Sequence, residues 1–229
     1  MNAIIIGASS GIGAQLAGDL AENGYSLGLV ARRRNLLDSV AATLPTRTIT
    51  KVVDLNDPDE ARRRLAVLID EMGGVDLFVI SSGVRYENPN LEWEAEAETI
   101  RVNVTGFACM VNTAVHHLSM RGKGHLVGIS SIAAIRGNRR APAYGASKAF
   151  VTTYLQAIRH RFAKLQLPIS VTTVQPGYVD TAMARGEGRF WVAPVEKASR
   201  QIFRAIQKKK ALVYVTKRWQ AIAWLLRLL

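Results

Sequence analysis

Short apolar runs alternate with longer segments of helical periodicity along the whole chain. Such runs are typical of strands that are buried on both faces of a parallel sheet. They occupy residues 3–6, 26–30, 49–53, 77–80, 126–129, 169–174 and 211–215. The segments between them predict right-handed βαβ units, and residues 91–120 predict one long helix that contains Asn103. We therefore predict a single α/β domain over residues 1–229, a doubly wound parallel sheet of about seven strands with helices on both faces.

A second long helix is predicted from Pro142 to about Leu165. Tyr144 and Lys148 lie four positions apart near its start, so their side chains share one face. Because a nearby cation favours the phenolate, we expect a pKa for Tyr144 below the usual value of about 10. A tyrosine of that kind is a general acid/base. Taken alone, the pair favours a half-buried tyrosine beside a surface lysine, because this spacing is common on helices.

A glycine-rich turn directly follows the first apolar run. Gly7, Gly11 and Gly13 separate that run from a helical pattern. A strand, a glycine turn and a helix in this order are the context of a dinucleotide-binding site. Glycine lets the backbone approach a pyrophosphate, and the helix N-terminus offers free N–H groups. Ser9 and Ser10 can add hydroxyl donors.

Three consecutive arginines, Arg32 to Arg34, stand where the second strand is predicted to end. In a dinucleotide fold this position lies beside the adenosine ribose, where an acidic residue binds the 2′-hydroxyl of NAD and an arginine accommodates the 2′-phosphate of NADP. No Asp or Glu occurs between Tyr25 and Leu37. Arg32 and Arg33 therefore predict NADP(H), with Arg32 as the first candidate.

Other candidate residues also fall at the carboxyl ends of predicted strands. Ligands of open α/β sheets bind at that edge. These residues are Asp54, Leu55, Ser82, Gly83, Ser131, Pro176 and Gly177.

The net charge of +12 and the pI of about 10.3 indicate a basic surface. Such a surface attracts nucleic acids, anionic membranes or phosphorylated ligands. No nucleic-acid-binding motif accompanies the charge, so nucleic acid is not an expected partner, whereas membrane contact stays open. The four histidines and the single cysteine form no metal-ligand pattern, and we expect no metal site.

The single cysteine, Cys109, excludes an internal disulfide and favours a reducing, cytoplasmic location. It lies in an apolar run, which favours a core position over a nucleophilic one. The N-terminus lacks the basic and apolar regions of a signal peptide. No run of about 18 apolar residues predicts a spanning helix.

Together, these motifs resemble the short-chain dehydrogenase/reductase family over about residues 3–181. The resemblance rests on Gly7-x-x-x-Gly11-x-Gly13, Asp54, Asn103, Ser131, Tyr144-x-x-x-Lys148 and Pro176-Gly177-x-Val179-x-Thr181. It implies a Rossmann fold and an NADP-preferring oxidoreductase that interconverts a small-molecule ketone and a secondary alcohol. Homodimers and homotetramers are usual in that family.

The resemblance also implies roles for individual residues. Tyr144 would exchange a proton with the substrate oxygen, and Ser131 would donate a hydrogen bond to that oxygen. Lys148 would lower the pKa of Tyr144 and hold the nicotinamide ribose, and Asn103 would support a water molecule that connects Lys148 to solvent. Asp54 would contact the adenine. The implied cofactor contacts are Gly7, Ser9, Ser10, Gly11, Ile12, Gly13, Arg32, Arg33, Asp54, Leu55, Ser82, Gly83, Asn103, Tyr144, Lys148, Pro176, Gly177, Val179 and Thr181, the last two at the nicotinamide carboxamide.

Two departures from the family pattern leave a second interpretation open. Residues 80–83 read Ile-Ser-Ser-Gly where the family usually carries Asn-Asn-Ala-Gly, and Ile6 replaces the usual threonine. A catalytically idle NADP-binding sensor or scaffold is therefore the alternative to an enzyme. Against it, the four candidate catalytic residues are all present.

The segments after Thr181 concern the substrate and possible partners. Residues 182–191 resemble the family's substrate lid. Residues 217–229 predict an amphipathic helix that is too short to span a bilayer. The helix either packs on the protein or a second subunit, or anchors the chain peripherally at a membrane through Trp219 and its basic neighbours. The latter would suit a lipid-linked substrate.

Overall fold

The computed structural model describes residues 1–184 and 190–226. Seven strands form one sheet: β1 (Asn2–Ile6), β2 (Ser26–Ala31), β3 (Thr48–Val52), β4 (Leu77–Ile80), β5 (Gly124–Ile129), β6 (Ile169–Pro176) and β7 (Leu212–Val215). The helices are α1 (Gly11–Glu22), α2 (Arg34–Ala42), α3 (Pro58–Glu71), α4 (Trp93–Ile100), α5 (Phe107–Arg121), α6 (Pro142–Lys164), α7 (Val195–Gln207) and α8 (Lys217–Leu226). The predicted alternation of strands and helices is confirmed.

All of the strand pairs are parallel, in the spatial order β3-β2-β1-β4-β5-β6-β7. The strand order reverses between β1 and β4, because β1 continues to β2 on one side while β4 lies on its other side. A crevice opens at the carboxyl ends of the strands where such a reversal occurs. The glycine turn after β1 lies at this crevice.

Apolar side chains are buried on both faces of the sheet, as the continuous apolar runs predict. On one face, Phe78 of β4 packs in a cluster with residues of α3, α5 and α6, among them Phe107 and Phe162. On the other face, Leu16 of α1 and Ile202 of α7 belong to a second cluster with the strands. The two layers hold the strand ends, and therefore the crevice, in a fixed geometry.

The long helix predicted over residues 91–120 is interrupted. Between α4 and α5, residues Arg101–Gly106 form a turn of π-helix. A π-turn adds a residue to the helical turn and is frequent at functional sites. Asn103 lies in this turn and is buried with its side chain directed toward α6 and the segment after β4.

Candidate active site

A cleft of about 500 Å³ runs along the carboxyl edge of the sheet. Its lining includes the predicted site residues except Gly13 and Asn103, which lie behind its wall. The glycine turn and the residues after β2 form one end, and the residues after β5 and the start of α6 form the other. The structure therefore brings the predicted nucleotide and catalytic residues into one continuous space.

The glycine turn packs too closely to accept side chains. Gly7 has φ +92°, and a Cβ there would lie 2.5 Å from the Ser82 nitrogen. A Cβ on Gly13 would overlap the carbonyl oxygen of Gly7, and one on Gly11 would lie 3.1 Å from Thr181 Cγ2. The turn thus brings the start of α1 to the floor of the cleft, where its first N–H groups can bind an anion.

Arg33 adds a positive charge beside this turn. Its Nη2 donates to Ser10 Oγ at 2.6 Å and to Ser9 Oγ at 3.0 Å. Arg32 instead faces two carboxylates, with Nη1 3.9 Å from Asp54 Oδ2 and 3.7 Å from Glu98 Oε1. Arg33 therefore lies beside the glycine turn, whereas the charge of Arg32 is offset by two carboxylates. The choice of Arg32 as the first candidate for the 2′-phosphate stays a prediction.

These residues fit a dinucleotide. Ser82 Oγ is buried beside the glycine turn without a hydrogen-bond partner in the described parts of the chain, so it can bind a ligand. Asp54 uses Oδ1 to accept from Asn56 at 3.0 Å, and Leu55 packs against Gly106. Val179 forms a β-bridge with Ala193, which fixes the segment that follows Pro176 and Gly177.

Asn103 connects three elements. Its Oδ1 accepts from the Val84 N–H at 2.8 Å, and its Nδ2 donates to the Val84 carbonyl at 2.8 Å and to Ser147 Oγ at 3.1 Å. A Cβ on Gly83 would lie 3.2 Å from Asn103 Oδ1 and 3.3 Å from Lys148 Nζ. Glycine at position 83 therefore allows the close approach of Asn103 and Lys148.

Lys148 is buried on the inner face of α6. Its Nζ donates to the Ile129 carbonyl at 3.0 Å, its only acceptor within residues 1–184 and 190–226, so two of its three N–H groups can bind a ligand. Burial lowers the pKa of Lys148 to about 8. The ammonium lies 5.7 Å from the ring centre of Tyr144, as the spacing of four residues predicts.

The pKa of Tyr144 differs from the prediction. Burial in the cleft raises it, while the Ser131 hydroxyl and, less strongly, the charge of Arg85 lower it. Spacing on a helix predicted the neighbouring cation but not the desolvation, which is the larger effect. At neutral pH Tyr144 therefore keeps its proton, and the cleft presents a phenol that can donate it.

The Ser131 hydroxyl lies beside the Tyr144 hydroxyl, whose pKa it lowers. Its Oγ accepts from the Ala133 N–H at 3.1 Å and so caps a short 3₁₀ turn, Ile132–Ala134. Because that oxygen accepts from the backbone, its own hydrogen can be donated to the Tyr144 oxygen or to a ligand in the cleft. Ser131, Tyr144 and Lys148 thus place two hydroxyl donors and an ammonium around one space.

Sequence reasoning missed the network that braces the start of α6. The buried Asn88 donates through Nδ2 to Glu96 Oε1 at 2.8 Å, and Glu96 Oε2 accepts from the Ala143 N–H at 3.1 Å. The Asn88 N–H donates to the Arg140 carbonyl at 2.7 Å. No motif marks these residues, because the hydrogen bonds join segments that are far apart in sequence.

The C-terminal helix α8 packs in part on the protein. Trp219 and Ala223 are buried, and the Trp219 indole fills the space beside Gly177 that a Cβ would occupy. Trp224, in contrast, is 70% exposed. The packing interpretation holds for the inner face, whereas membrane anchoring by residues 217–229 stays a prediction, and residues 227–229 lie outside the described part.

Part of the predicted lid also lies outside the described residues, because residues 185–189 are not described. At its end, Phe190 packs against Tyr178 and Trp219. No helix in residues 1–184 or 190–226 has both the length and the apolar character needed to cross a bilayer.

Known proteins share this architecture. An uncharacterized oxidoreductase of Mycobacterium tuberculosis is 36% identical over 190 residues, which span 79% of this chain and 74% of that protein. The crystal structure of a short-chain dehydrogenase/reductase from Burkholderia phymatum in complex with NAD superposes with a TM-score of 0.88 at 19% identity, over 98% of this chain and 92% of that one. A short chain dehydrogenase from Burkholderia cenocepacia in complex with NADP gives 0.84 at 24% identity, over 97% and 91%.

The sequence model described as short chain dehydrogenase matches residues 1–189. This range holds the glycine turn, the arginines after β2 and the residues around Tyr144. The match and the identity to the mycobacterial oxidoreductase agree with the order of β-strands and with the contents of the cleft. The chain therefore belongs to the short-chain dehydrogenase/reductase family.

Proposed function

We propose that the protein is an NADPH-dependent reductase that converts a ketone into a secondary alcohol. One observation carries the proposal: the Ser131 and Tyr144 hydroxyls and the Lys148 ammonium line the same cleft whose other end holds Arg33 beside the glycine turn. The cofactor supplies a hydride for the carbonyl carbon when it is bound. The matching proton must come from the protein.

The side chains divide the remaining work. Ser131 donates a hydrogen bond to the carbonyl oxygen, where negative charge develops. Tyr144 gives its proton to that oxygen as the carbon accepts the hydride, so the ketone becomes an alcohol and the cofactor is oxidised. Lys148 holds the ribose hydroxyls with the N–H groups that Ile129 leaves free. Asn103 keeps the segment after β4 and the helix of Tyr144 in register.

The direct test is a screen of ketones, lipophilic and sugar-derived ones included, for NADPH oxidation by the purified protein. Turnover that depends on a ketone supports the proposal. Tight NADPH binding without turnover of any ketone would favour the alternative, a catalytically idle sensor or scaffold. The altered residues 80–83 are the observation that keeps this alternative in the test.

The cofactor preference is expected to depend on Arg33. Arg33→Ala should weaken NADPH binding about 10- to 100-fold and leave NADH binding almost unchanged, because only NADPH carries the phosphate that a guanidinium binds by charge-assisted hydrogen bonds. Titration of both cofactors, followed by nicotinamide fluorescence, measures this. Arg32→Ala and Arg34→Ala are the matched controls and should have smaller effects. A wild-type preference for NADH would overturn the NADP assignment.

The pH dependence of reduction follows from Tyr144 and Lys148. Burial raises the pKa of Tyr144 and lowers that of Lys148 to about 8. Because reduction uses the protonated form of both groups, kcat/KM should be level below about pH 8 and fall above it. Initial rates between about pH 6 and pH 10 at constant ionic strength check this. A rate that rises steadily over this range would contradict the assignment of Tyr144 as the acid.

The proposal also covers the size of the substrate, the oligomeric state and the cellular location. The substrate is a small molecule, and the protein works as a homodimer or homotetramer in the cytoplasm. Contact of residues 217–229 with a membrane, and with it a lipid-linked substrate, is favoured only by the exposure of Trp224 and Leu225 on α8.

A further inference from the structure

Arg85 is a cation at the substrate end of the cleft that the reaction proposed above does not use. It lines the same space as Ser131 and Tyr144, and its side chain is only 19% exposed. Its charge lowers the pKa of the Tyr144 hydroxyl, against the larger rise caused by burial. Arg32 faces Asp54 and Glu98. Arg33 and Lys148 have the adenosine phosphate and the nicotinamide ribose as their proposed ligands. Arg85 therefore remains for the substrate itself.

The backbone on both sides of Arg85 is held firmly. Val84 makes two hydrogen bonds with the Asn103 side chain, both 2.8 Å long. Asn88, on the other side, donates to the Arg140 carbonyl and to Glu96, and Glu96 also accepts from the Ala143 N–H at the start of α6. The segment that carries Arg85 is thus tied to the helix that carries Tyr144. Such bracing is what a preorganised binding group requires.

The present partner of Arg85 is a weak competitor. Arg85 Nη2 donates to Glu87 Oε1 at 3.1 Å, and in the described parts of the chain this carboxylate is the only hydrogen-bond acceptor of the guanidinium. The Glu87 side chain is 44% exposed and lies two residues away on the same loop, so the pair connects no separate elements. An exposed pair of this kind contributes little to stability. The remaining N–H groups of Arg85 are free to bind an oxyanion in the bidentate manner that guanidinium favours.

We propose that the substrate is an anionic ketone, whose carboxylate or phosphate group is bound by Arg85 while its carbonyl oxygen lies between Ser131 and Tyr144. This inference rests on the proposed ketone reduction and adds the charge of the substrate. The bound anion offsets the charge of Arg85 near Tyr144, which helps the phenol to keep its proton until the hydride arrives.

Two measurements test the anion site. The first compares kcat/KM with NADPH for 2-, 3- and 4-oxocarboxylates and their neutral methyl esters, and for dihydroxyacetone phosphate against dihydroxyacetone. The oxocarboxylates test binding of a carboxylate and dihydroxyacetone phosphate tests binding of a phosphate, so the two sets of substrates distinguish the two oxyanions. The second uses calorimetry to follow the binding of butanoate, butanamide and inorganic phosphate to the protein with NADP⁺, which requires no turnover.

The wild type should prefer the anionic member of at least one pair about 10- to 100-fold, and Arg85→Gln should abolish this preference and the matching anion binding. Arg139→Gln, which removes an equal charge from an exposed position outside the cleft lining, should leave both unchanged. Glu87→Gln should strengthen anion binding because it removes the competing carboxylate. The melting temperature of each variant shows that it is folded.

The outcomes separate the two proposals. If neutral ketones are reduced as well as anionic ones and Arg85→Gln changes neither, the anion site is refuted while the reductase stands. If no ketone is reduced but butanoate or phosphate binds through Arg85, the reductase fails and the anion site stands. If neither oxyanion binds to the wild type, the anion site is refuted.

Discussion

Tyr144→Phe is expected to lower kcat for ketone reduction by about 1000-fold, the scale of a lost general acid. The substitution removes one oxygen from a side chain that lies between Ser131 and Lys148 and leaves the ring in place. No other donor at that position can supply the proton with the same geometry. Binding of NADPH should change by no more than a few-fold, because the ring still fills the cleft.

The matched control is Tyr154→Phe. Tyr154 lies on the same helix, α6, where it stacks on Phe150 outside the cleft lining. Tyr154→Phe removes the same hydroxyl group as Tyr144→Phe, and this variant should keep full activity. Single-turnover rates with saturating NADPH separate the chemical step from binding. If Tyr144→Phe reduces ketones at the wild-type rate, Tyr144 is not the acid and the mechanism is refuted.

Gly13→Ala should both destabilise the protein and abolish most NADPH binding. The added methyl group would overlap the Gly7 carbonyl oxygen, and backbone cannot rotate away as a flexible side chain can. Overpacking of this kind costs about 1–3 kcal/mol in the free energy of unfolding. Relief of the overlap would move the glycine turn away from the start of α1, where we propose that the cofactor phosphates bind. Denaturant unfolding and NADPH titration measure the two effects.

Gly18→Ala, in the same helix, is the contrasting variant. Apart from the adjacent residues and the backbone of the helix itself, no atom of the described residues lies within 4 Å of the methyl group that would be added there. Alanine is favoured over glycine inside a helix by about 0.8–1.0 kcal/mol, so this variant should be slightly more stable than the wild type and bind NADPH normally. If the two variants behave alike, close packing does not fix the glycine turn.

The strands and the glycine turn were predictable because their signals are local. A continuous apolar run specifies a strand that is buried on both faces, and Gly7, Gly11 and Gly13 follow such a run directly. The spacing of Tyr144 and Lys148 likewise specifies a shared helical face, and the structure confirms it.

Other properties depend on what surrounds a residue after folding. Arg32 and Arg33 are chemically equal in the sequence, and only the folded chain shows which guanidinium lies beside Ser9 and Ser10 and which beside Asp54. The pKa of Tyr144 rises because distant segments exclude water from it. The π-turn at Asn103 has no sequence signal, because it depends on hydrogen bonds across the fold.

The contact between Trp219 and Gly177 couples the side chains that two distant positions can accept. Gly177 does not have a left-handed backbone, so the absence of a side chain there is required by the indole that occupies its place. A larger residue at position 177 becomes acceptable only after Trp219 has been replaced by a smaller one, because in the opposite order the new side chain would overlap the indole. Substitutions at the two positions must therefore occur in one order. The C-terminal helix thus constrains a loop at the cleft that lies some 40 positions earlier in the sequence.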